Sequence, residues 1–389
     1  MAKSTFSMAP ARIKCIGCGG GGSNAITRMV RDGIKGVEFI CMNTDAQALA
    51  LSEVPVRVQL GEKLTRGLGA GGDHAVGEKA AEESRQSIMD VVTGTDMVFI
   101  TAGMGGGTGT GSIAVVADCA KQAGALTIGI VTKPFSFEGA RRSRVAEEAI
   151  LKLADKVDTL IIIPNDRILE MCDPKTSVDN AFRLADDVLK MGVQAIAEVV
   201  TVPGLINLDF ADIRSIMKNA GPAWMSLGRA GGQNRAAEAA KKALESPMLD
   251  VSISGAKGVL YNITGGNDMT LFECNEAAEV ISQAVDPEAN IIFGVVYNSE
   301  LEGQLQITII ATGFTAHYGA AVPTETELRR LMRGVGEESL DVPSFLRRSA
   351  SKFTPSTQVN SFANSHANQP QQSNSFANPM DNRRMPPQR

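Results

Sequence analysis

Short apolar runs alternate with helix-length amphipathic stretches from residue 12 to about residue 200. The apolar runs span residues 13–17, 37–42, 97–102, 126–131 and 159–164, and helical patterns span residues 24–31, 73–92, 112–122, 138–156 and 178–200. Strands that are apolar along their whole length and alternate with helices are typical of a parallel sheet covered on both faces. We therefore predict an open α/β domain for this half of the chain.

The pattern changes after residue 221. Three β-rich runs follow, with only two helical stretches between them, at residues 259–264, 291–297 and 306–312 and at residues 234–244 and 275–285. This predicts a smaller α+β domain, joined to the first by the long helix at residues 178–200. Residues 353–389 are rich in Asn, Gln, Ser and Pro and contain NSFAN twice. Because such a composition cannot offset its ordering entropy by burial, we predict a disordered tail.

Charge and hydropathy exclude two classes of protein. The formal net charge of −5 gives no basic footprint, so nucleic acid is not an expected ligand. No run approaches the roughly 18 unbroken apolar residues of a membrane span, and the N-terminal residues MAKSTFSMAP lack an apolar signal core. We expect a cytoplasmic protein. Cys15 and Cys18 form a CxxC, but without a second CxxC or spaced histidines we expect packing rather than zinc or redox chemistry.

Two glycine-rich loops each follow an apolar strand and open a helix. The first, residues 17–22, satisfies GxGxxG, and Asp45 lies 23 residues beyond it, as in a dinucleotide fingerprint. An NAD-dependent oxidoreductase is therefore one alternative. The second loop, residues 103–111, supplies another phosphate cradle, and two cradles suit a nucleoside triphosphate better than one pyrophosphate. Because neither loop has a lysine, amides, Thr108 and Mg²⁺ would balance the charge, with Asp45 anchoring Mg²⁺ through water.

The stretch GGGTGTG at residues 105–111 resembles the signature of the tubulin/FtsZ family, and residues 12–316 look like its bacterial branch. Five further stretches carry the resemblance: GCGGGGSNA (17–25), NTDAQAL (43–49), KPFSFEGARR (133–142), IPNDRIL (163–169) and NLDFADI (207–213). The resemblance implies a GTPase that binds GTP and GDP. It divides the chain into a flexible N-terminus (1–11), a GTP-binding domain (12–177), the central helix with an acidic loop (178–219), an α+β domain (220–316) and a linker (317–340), followed by a docking peptide (341–348) and the tail (349–389).

The same resemblance implies the nucleotide contacts. The phosphates would meet the residues at 20–22 and 107–109, the ribose Glu138 and Arg142, and the guanine Asn24, Asn165 and Asp186, stacked on Phe182. Asp186 can accept from both the ring N–H and the exocyclic amine of guanine, and Phe182 shares its helix face. The full implied set is Gly19, Gly20, Gly21, Gly22, Ser23, Asn24, Asn43, Asp45, Gly103, Met104, Gly105, Gly106, Gly107, Thr108, Gly109, Thr132, Glu138, Arg142, Asn165, Phe182 and Asp186.

The acidic stretch with Asn207, Asp209 and Asp212 is the best candidate for orienting an attacking water. If the base lies near the start of the long helix, the helix places these residues roughly 35 Å away. One chain would then hold only half of a catalytic site, and subunits stacked head to tail would complete it in a filament. The alternative is that Asp209 and Asp212 only cap or solvate the next helix. The resemblance implies a homopolymer whose hydrolysis depends on assembly.

A compact stretch in the polar C-terminal region resembles the family's partner-docking peptide. It contains Asp341, Pro343, Phe345, Leu346 and Arg347. The resemblance implies docking of membrane-tethering and regulatory division proteins, at a cytokinetic ring beneath the membrane at midcell. A tubulin-like cytoskeletal GTPase without a division role remains an alternative.

Overall fold

The computed structural model describes residues 11–170, 172–173, 175–201, 209–246 and 253–314. Asn207, the predicted linker at residues 317–340, the docking peptide and the tail lie outside these residues, as does nearly all of the predicted N-terminal segment. Among the described residues, no helix is long and apolar enough to cross a membrane.

Ten strands form one sheet. They are β1 (Ile13–Cys18), β2 (Val37–Asn43), β3 (Val56–Gln59), β4 (Met97–Gly103), β5 (Leu126–Lys133), β6 (Thr159–Pro164), β7 (Gly221–Gly231), β8 (Gly258–Gly265), β9 (Asn290–Tyr297) and β10 (Gln304–Thr312). Their order in the sheet is β3-β2-β1-β4-β5-β6-β7-β10-β8-β9. In this order, the seven strands from β3 through β2 and β1 to β7 pair in parallel. Strand β10 is antiparallel to both of its neighbours. The predicted open, mostly parallel α/β fold is therefore confirmed.

Twelve α-helices in the described ranges connect and cover these strands. They are α1 (Gly19–Arg31), α2 (Ala46–Leu51), α3 (Glu62–Thr65), α4 (His74–Glu83), α5 (Arg85–Val92), α6 (Thr108–Gln122), α7 (Ala140–Ala154), α8 (Asn165–Glu170), α9 (Val178–Thr201), α10 (Phe210–Met217), α11 (Arg235–Leu244) and α12 (Leu271–Ala284). A short 3₁₀ turn (Ser136–Glu138) precedes α7. The long helix predicted at residues 178–200 is α9.

Three apolar clusters explain why the sheet needs helices on both faces. One cluster packs α1 and α9 against the sheet, and a second packs α4 to α7 against the opposite face of the parallel strands. The third lies between the C-terminal strands and the helices α11 and α12. The central strand β4 is buried along its first six residues, as expected for a parallel strand covered on both sides.

The sequence patterns missed some elements. The first helix begins at Gly19 rather than near residue 24, because the glycines of the first loop themselves form its first turn. The single helix predicted at residues 73–92 is two helices, α4 and α5. Strand β7 was not predicted, since its sequence GPAWMSLGRAG contains three glycines and a proline. It pairs in parallel with β6 and so joins the C-terminal strands to the same sheet.

The topology brings the two glycine loops together. Strands β1 and β4 are parallel neighbours in register from Ile13 with Met97 to Gly17 with Thr101. Their carboxyl ends, and the loops that follow, therefore lie at the same edge of the sheet. The ends of β2, β5 and β6 reach this edge too, which is where ligands bind in open α/β sheets.

Candidate nucleotide-binding site

A cavity of about 520 Å³ lies at the carboxyl edge of the parallel strands. It is lined by many of the residues that the sequence analysis assigned to the nucleotide: Gly20, Gly21, Asn43, Asp45, Gly103, Met104, Gly106, Gly107, Thr108, Gly109, Thr132, Glu138, Arg142, Asn165, Phe182 and Asp186. These residues come from both glycine loops, the ends of β2 and β5, the N-cap of α2, the 3₁₀ turn before α7, and the helices α7, α8 and α9. The structure thus gathers them into one site, and their role in binding stays a prediction.

The two glycine loops pack backbone against backbone. A Cβ built on Gly19 would lie 2.5 Å from the amide nitrogen of Gly109, and one built on Gly21 would lie 3.3 Å from that of Gly103. Gly19 also has a φ of +68°, which side chains rarely adopt. The glycines here allow the loops to approach closely enough to make one continuous wall.

Other glycines face open space instead. A Cβ built on Gly20 or on Gly106 would meet nothing within 4 Å, and neither residue has a positive φ. Both residues line the cavity, Gly20 in the first turn of α1 and Gly106 in the loop just before α6. The amides at two helix N-termini therefore border a space that a Cβ would partly fill, which is a geometry suited to phosphate oxygens.

Hydroxyl and carboxylate groups complete the phosphate end. The Oγ1 atoms of Thr44 and Thr108 lie 2.5 Å apart, with Thr108 at the first position of α6. Asp45 caps α2, where its Oδ1 accepts from the amides of Gln47 at 2.9 Å and Ala48 at 3.0 Å. This capping fixes the carboxylate at the cavity wall.

The donor set fits Mg²⁺ only with help from the nucleotide. No cluster of three His, Cys, Asp or Glu side chains in the described part of the chain could hold a metal ion by itself. Mg²⁺ is commonly bound through one or two protein groups together with substrate phosphates and water. Asp45 and Thr108 are two side chains at the phosphate end of this cavity with oxygens suited to such an arrangement.

At the other end of the cavity, polar groups are buried without full partners. Asn165 is 4% exposed, and its Oδ1 has no hydrogen-bond partner in the structure. Asp186 lies 3.5 Å from Arg28 as an ion pair, and burial raises the pKa of its carboxyl to about 6. A buried oxygen without a partner and a largely buried carboxyl are costly in a protein without a ligand, so they mark a site for a polar, hydrogen-bonding group.

A flat apolar surface and an ion pair flank these groups. Phe182 is 40% exposed and packs edge-to-face on Phe135, with ring centroids 5.2 Å apart. Glu138 accepts from the amide of Phe135 at 2.9 Å and pairs with Arg142 one helical turn later. The arrangement offers a ring face for a planar base and a carboxylate fixed in place to accept hydroxyl hydrogen bonds.

Five of the implied residues do not line the cavity. They are Gly19, Gly22, Ser23, Asn24 and Gly105. The hydroxyl of Ser23 is buried and donates to the carbonyl of Gly19 at 2.6 Å, while Asn24 is exposed on α1. The amide of Gly105 donates to Thr110 Oγ1 at 2.9 Å, so it is occupied within its own loop.

A third loop at the cavity was missed. Residues 68–72, with the sequence LGAGG, line one side together with Cys18, Ala48, Pro134 and Ala185. Gly107 packs against this loop, since a Cβ there would lie 3.1 Å from the Cβ of Ala70. The signal available in the sequence was the density of glycine, but the loop follows the short helix α3 after the edge strand β3, and its position depends on tertiary packing.

The acidic residues lie elsewhere. Asp209 and Asp212 are exposed, do not line the cavity, and belong to the start of α10. Helix α9 carries Phe182 and Asp186 at its first half, and its last residue, Thr201, donates to the carbonyl of Lys35 just before β2. Its 24 residues span about 36 Å at 1.5 Å per residue.

The end of α10 packs at the amino edge of the parallel strands, where α9 also ends. The carbonyl of Met217 accepts from Thr159, the first residue of β6, and that of Ile216 accepts from Thr312 at 3.3 Å. Asn165, by contrast, follows the last residue of β6. The nucleotide-side groups and the helix with the acidic residues therefore occupy opposite edges of one sheet.

The CxxC thiols are buried in the first strand. Cys15 and Cys18 have exposures of 0% and 1%, and burial raises the pKa of the Cys18 thiol to about 12 and that of Cys15 further. Protonated, enclosed thiols are poor nucleophiles and poor metal ligands.

The fold and the cavity define a nucleotide-binding α/β protein of the tubulin/FtsZ class. Residues 12–173 match the model of the tubulin/FtsZ family GTPase domain, and residues 221–315 match that of the FtsZ family C-terminal domain. A solved FtsZ dimer from M. jannaschii is 44% identical, with a TM-score of 0.76, and the match covers 79% of this chain and 89% of that one. CetZ2 from Haloferax volcanii, solved as a GTPγS-bound protofilament, is 19% identical with a TM-score of 0.66, covers 83% and 98%, and shares the fold.

The chain belongs to the FtsZ family. It carries that family's GTPase domain and is a GTPase. The NAD-dependent oxidoreductase that the first glycine loop left open is therefore excluded.

Proposed function

We propose that this protein polymerises head to tail when it binds GTP, and that the acidic residues of one subunit complete the active site of the next. The observation that carries the proposal is the separation described above. The cavity lies at the carboxyl edge of the sheet, and α10 packs at the amino edge. A contact that joins two different edges of identical subunits does not close on itself and so builds a filament.

Within one subunit, the cavity divides into three parts. The phosphates lie against the open backbone at Gly20, Gly21 and Gly106, and the ribose lies near Glu138 and Arg142. The base stacks on Phe182 and is read by the groups described above. Guanine donates two N–H groups from one edge, and a carboxylate such as Asp186 can accept both. When bound, Mg²⁺ supplies charge neutralisation at the phosphates, and Asp45 and Thr108 are the side chains that would hold it.

Hydrolysis then needs a group that orients water. In the proposed filament, Asp209 and Asp212 from the neighbouring subunit face the terminal phosphate. Asn207, outside the described residues, stays a sequence-based candidate to act with them. Both aspartates are exposed and have no ion-pair partner among the described residues, so they are available for a contact between subunits. Positioned acid–base groups contribute about 10² to 10⁴ in rate, so turnover should depend on assembly.

The cellular part of the proposal is that the filaments form the scaffold of the cytokinetic ring, in the cytoplasm beneath the membrane at midcell. The 44% identity to an FtsZ supports this role over that of a tubulin-like cytoskeletal GTPase without a function in division. CetZ2 and CetZ1, two neighbours that favour the alternative, are 19% and 21% identical. Residues 341–348 would dock membrane-tethering and regulatory division proteins through Phe345 and Leu346.

Assembly can be tested by light scattering and pelleting after addition of GTP, with ATP and NAD as controls. We expect assembly with GTP alone, followed by disassembly as GTP is consumed. Assembly that is equal with ATP, or no assembly over a range of protein and Mg²⁺ concentrations, would contradict the proposal.

The shared active site can be tested by mixing two inactive variants. Gly106→Trp fills the phosphate space of its own cavity, and Asp212→Ala lacks the acidic residue but keeps its cavity. Each should be inactive alone, and a mixture should regain GTP turnover, because an Asp212→Ala subunit can bind GTP and meet an intact Asp212 from its neighbour. The matched control mixes Asp212→Ala with Asp209→Ala, which should stay inactive. Failure of the first mixture, with Asp212→Ala still binding GTP, would reject the arrangement in trans.

Docking can be tested by truncation in cells. Removal of all residues after Gly336 should preserve assembly in vitro and abolish recruitment to the division site, whereas removal of residues 353–389 should have a much smaller effect. If the shorter deletion abolishes recruitment and Phe345→Ala with Leu346→Ala does not, the docking element lies in the tail.

A further inference from the structure

In the described part of the chain, an arginine reaches the carboxylate at the base end of the cavity. Arg28, in the last turn of α1, places its Nε 3.5 Å from Oδ2 of Asp186, and the two side chains are 28% and 17% exposed. The same guanidinium donates through Nη1 to the backbone carbonyl of Arg183 at 3.3 Å. It therefore holds two points on one turn of α9, one of them the carboxylate.

We propose that Arg28 is a positioning residue for base specificity, which orients Asp186 and keeps it a charged acceptor for the paired N–H groups of guanine. The proposal rests on the proposed role of Asp186 in reading the base. Arg28 does not line the cavity and would act through Asp186 alone. Because α1 begins at the glycines of the first loop, one helix would connect the phosphate end of the site to the base end.

Among the described charged groups around Asp186, Arg28 is the one that stabilises its ionised form. Burial raises the pKa of Asp186, the Arg28 guanidinium lowers it, and the neighbouring Asp187 raises it. The other charged groups on the helices packed here have partners elsewhere: Asp166 accepts from Ser136, Glu198 accepts from Gln194, and the rest form ion pairs. Lys190 lies 2.6 Å from Asp32 and 3.8 Å from Asp187, and three further pairs are Arg183 with Asp179, Arg31 with Glu53 and Arg167 with Glu170.

The chemistry predicts a specific signature. Guanine offers a ring N–H and an exocyclic amine, whereas hypoxanthine offers only the ring N–H. A carboxylate with a fixed orientation accepts both hydrogen bonds, and a hydrogen bond to a charged group is about twice as strong as a neutral one. Loss of charge or orientation at Asp186 should therefore weaken GDP more than IDP. The two nucleotides carry the same phosphates, so titration of the phosphates cancels in the ratio of their affinities.

The test measures the affinities of GDP and IDP by competition from pH 5 to pH 8. In the wild-type protein, we expect the preference for GDP to fall as the pH drops through about 6, because Asp186 becomes protonated. Without Arg28 the carboxyl holds its proton to higher pH, so Arg28→Met should move this midpoint up by about one pH unit or more. At pH 7 its GDP-to-IDP ratio should fall by about threefold or more. Arg28→Lys should bring both the midpoint and the ratio of GDP to IDP affinity part of the way back to their wild-type values.

The matched control is Arg31→Met, which removes an arginine from the same helical turn, where it pairs with Glu53 on the exposed surface. It should keep the wild-type ratio and midpoint. If Arg28→Met behaves like Arg31→Met, the proposal is wrong; if Arg28→Met does not fold, Arg28→Gln is held to the same criterion. Asp186→Asn separates the two hypotheses. If this variant keeps the wild-type ratio of GDP to IDP affinity, Asp186 does not read the base. If it loses that preference while Arg28→Met keeps it, only the role of Arg28 is rejected.

Discussion

The two edges of the sheet differ in what they contain. The carboxyl edge of the parallel strands has backbone amides from two glycine loops, a buried unpaired Asn165 oxygen and the carboxyl of Asp186, all around one cavity. The amino edge has α10, which buries Ile213, Ile216 and Met217 and leaves Asp209 and Asp212 exposed. Candidate groups for nucleotide binding are concentrated at one edge, and candidate groups for hydrolysis are carried by a helix at the other. Binding and turnover should therefore respond separately to substitution.

The largest effect is expected at the amino edge. Asp212→Ala should lower the rate of GTP turnover by about 10² to 10⁴, because it removes the group that we propose orients the attacking water. The affinity for GTP should stay within about twofold, since Asp212 does not touch the cavity of its own subunit. Steady-state phosphate release and equilibrium binding measure the two quantities. A loss of affinity as large as the loss of turnover would contradict the separation of the two edges.

At the carboxyl edge, substitutions at two adjacent glycines should affect different properties, GTP affinity in one case and the stability of the fold in the other. Gly106→Trp fills space in which a Cβ meets nothing, so GTP affinity should fall by about a hundredfold while the melting temperature changes little. Gly105→Ala should mainly destabilise the protein, because Gly105 has a φ of +97° and its Cβ would lie 2.8 Å from the carbonyl oxygen of Arg142. Binding assays and thermal melts on both variants test this. An unchanged GTP affinity in Gly106→Trp would move the phosphates away from this loop.

A smaller effect is expected at Asn165, where stability and binding should change in opposite directions. Asn165→Leu has a similar size and removes a buried oxygen that lacks a partner, so the free energy of unfolding should rise by about 1 kcal/mol. The same change removes the hydrogen bond that we propose Asn165 makes to the nucleotide, so affinity should fall about tenfold. Denaturant unfolding without nucleotide and GDP binding provide the two measurements. A variant that loses both stability and affinity would show that the side chain has a structural role instead.

The carboxyl edge was also the more predictable of the two. Apolar strands followed by glycines identified the loops, and the family resemblance supplied Glu138, Arg142, Asn165, Phe182 and Asp186, all of which line the cavity. Residues 68–72 were missed because their position depends on packing against Gly107 from a distant part of the chain.

Features that depend on contacts between elements were harder to predict. Strand β7 was missed because its glycines and proline hide the β pattern, and its pairing with β6 depends on the whole sheet. The Arg28 contact with Asp186 joins helices that are more than 150 residues apart, and local periodicity contains no information on such a pair. The distance between the acidic residues and the base was predicted from the length of one helix, and α9 has nearly that length.

The smallest effect is expected at Cys18, which lines the cavity but offers no polar chemistry to it. The residue is 1% exposed in the last position of β1, and burial raises its thiol pKa to about 12, so it remains protonated at neutral pH. Valine fills a similar volume in a strand, so Cys18→Val should keep GTP affinity and turnover within about twofold. Iodoacetamide should modify Cys18 of the folded protein only slowly, and mass spectrometry of the alkylated peptides measures this directly. Fast reaction of the thiol would show that it is accessible and reactive. That result, or a loss of GTP binding in Cys18→Val as severe as in Gly106→Trp, would mean that Cys18 belongs to the nucleotide-binding groups of the carboxyl edge.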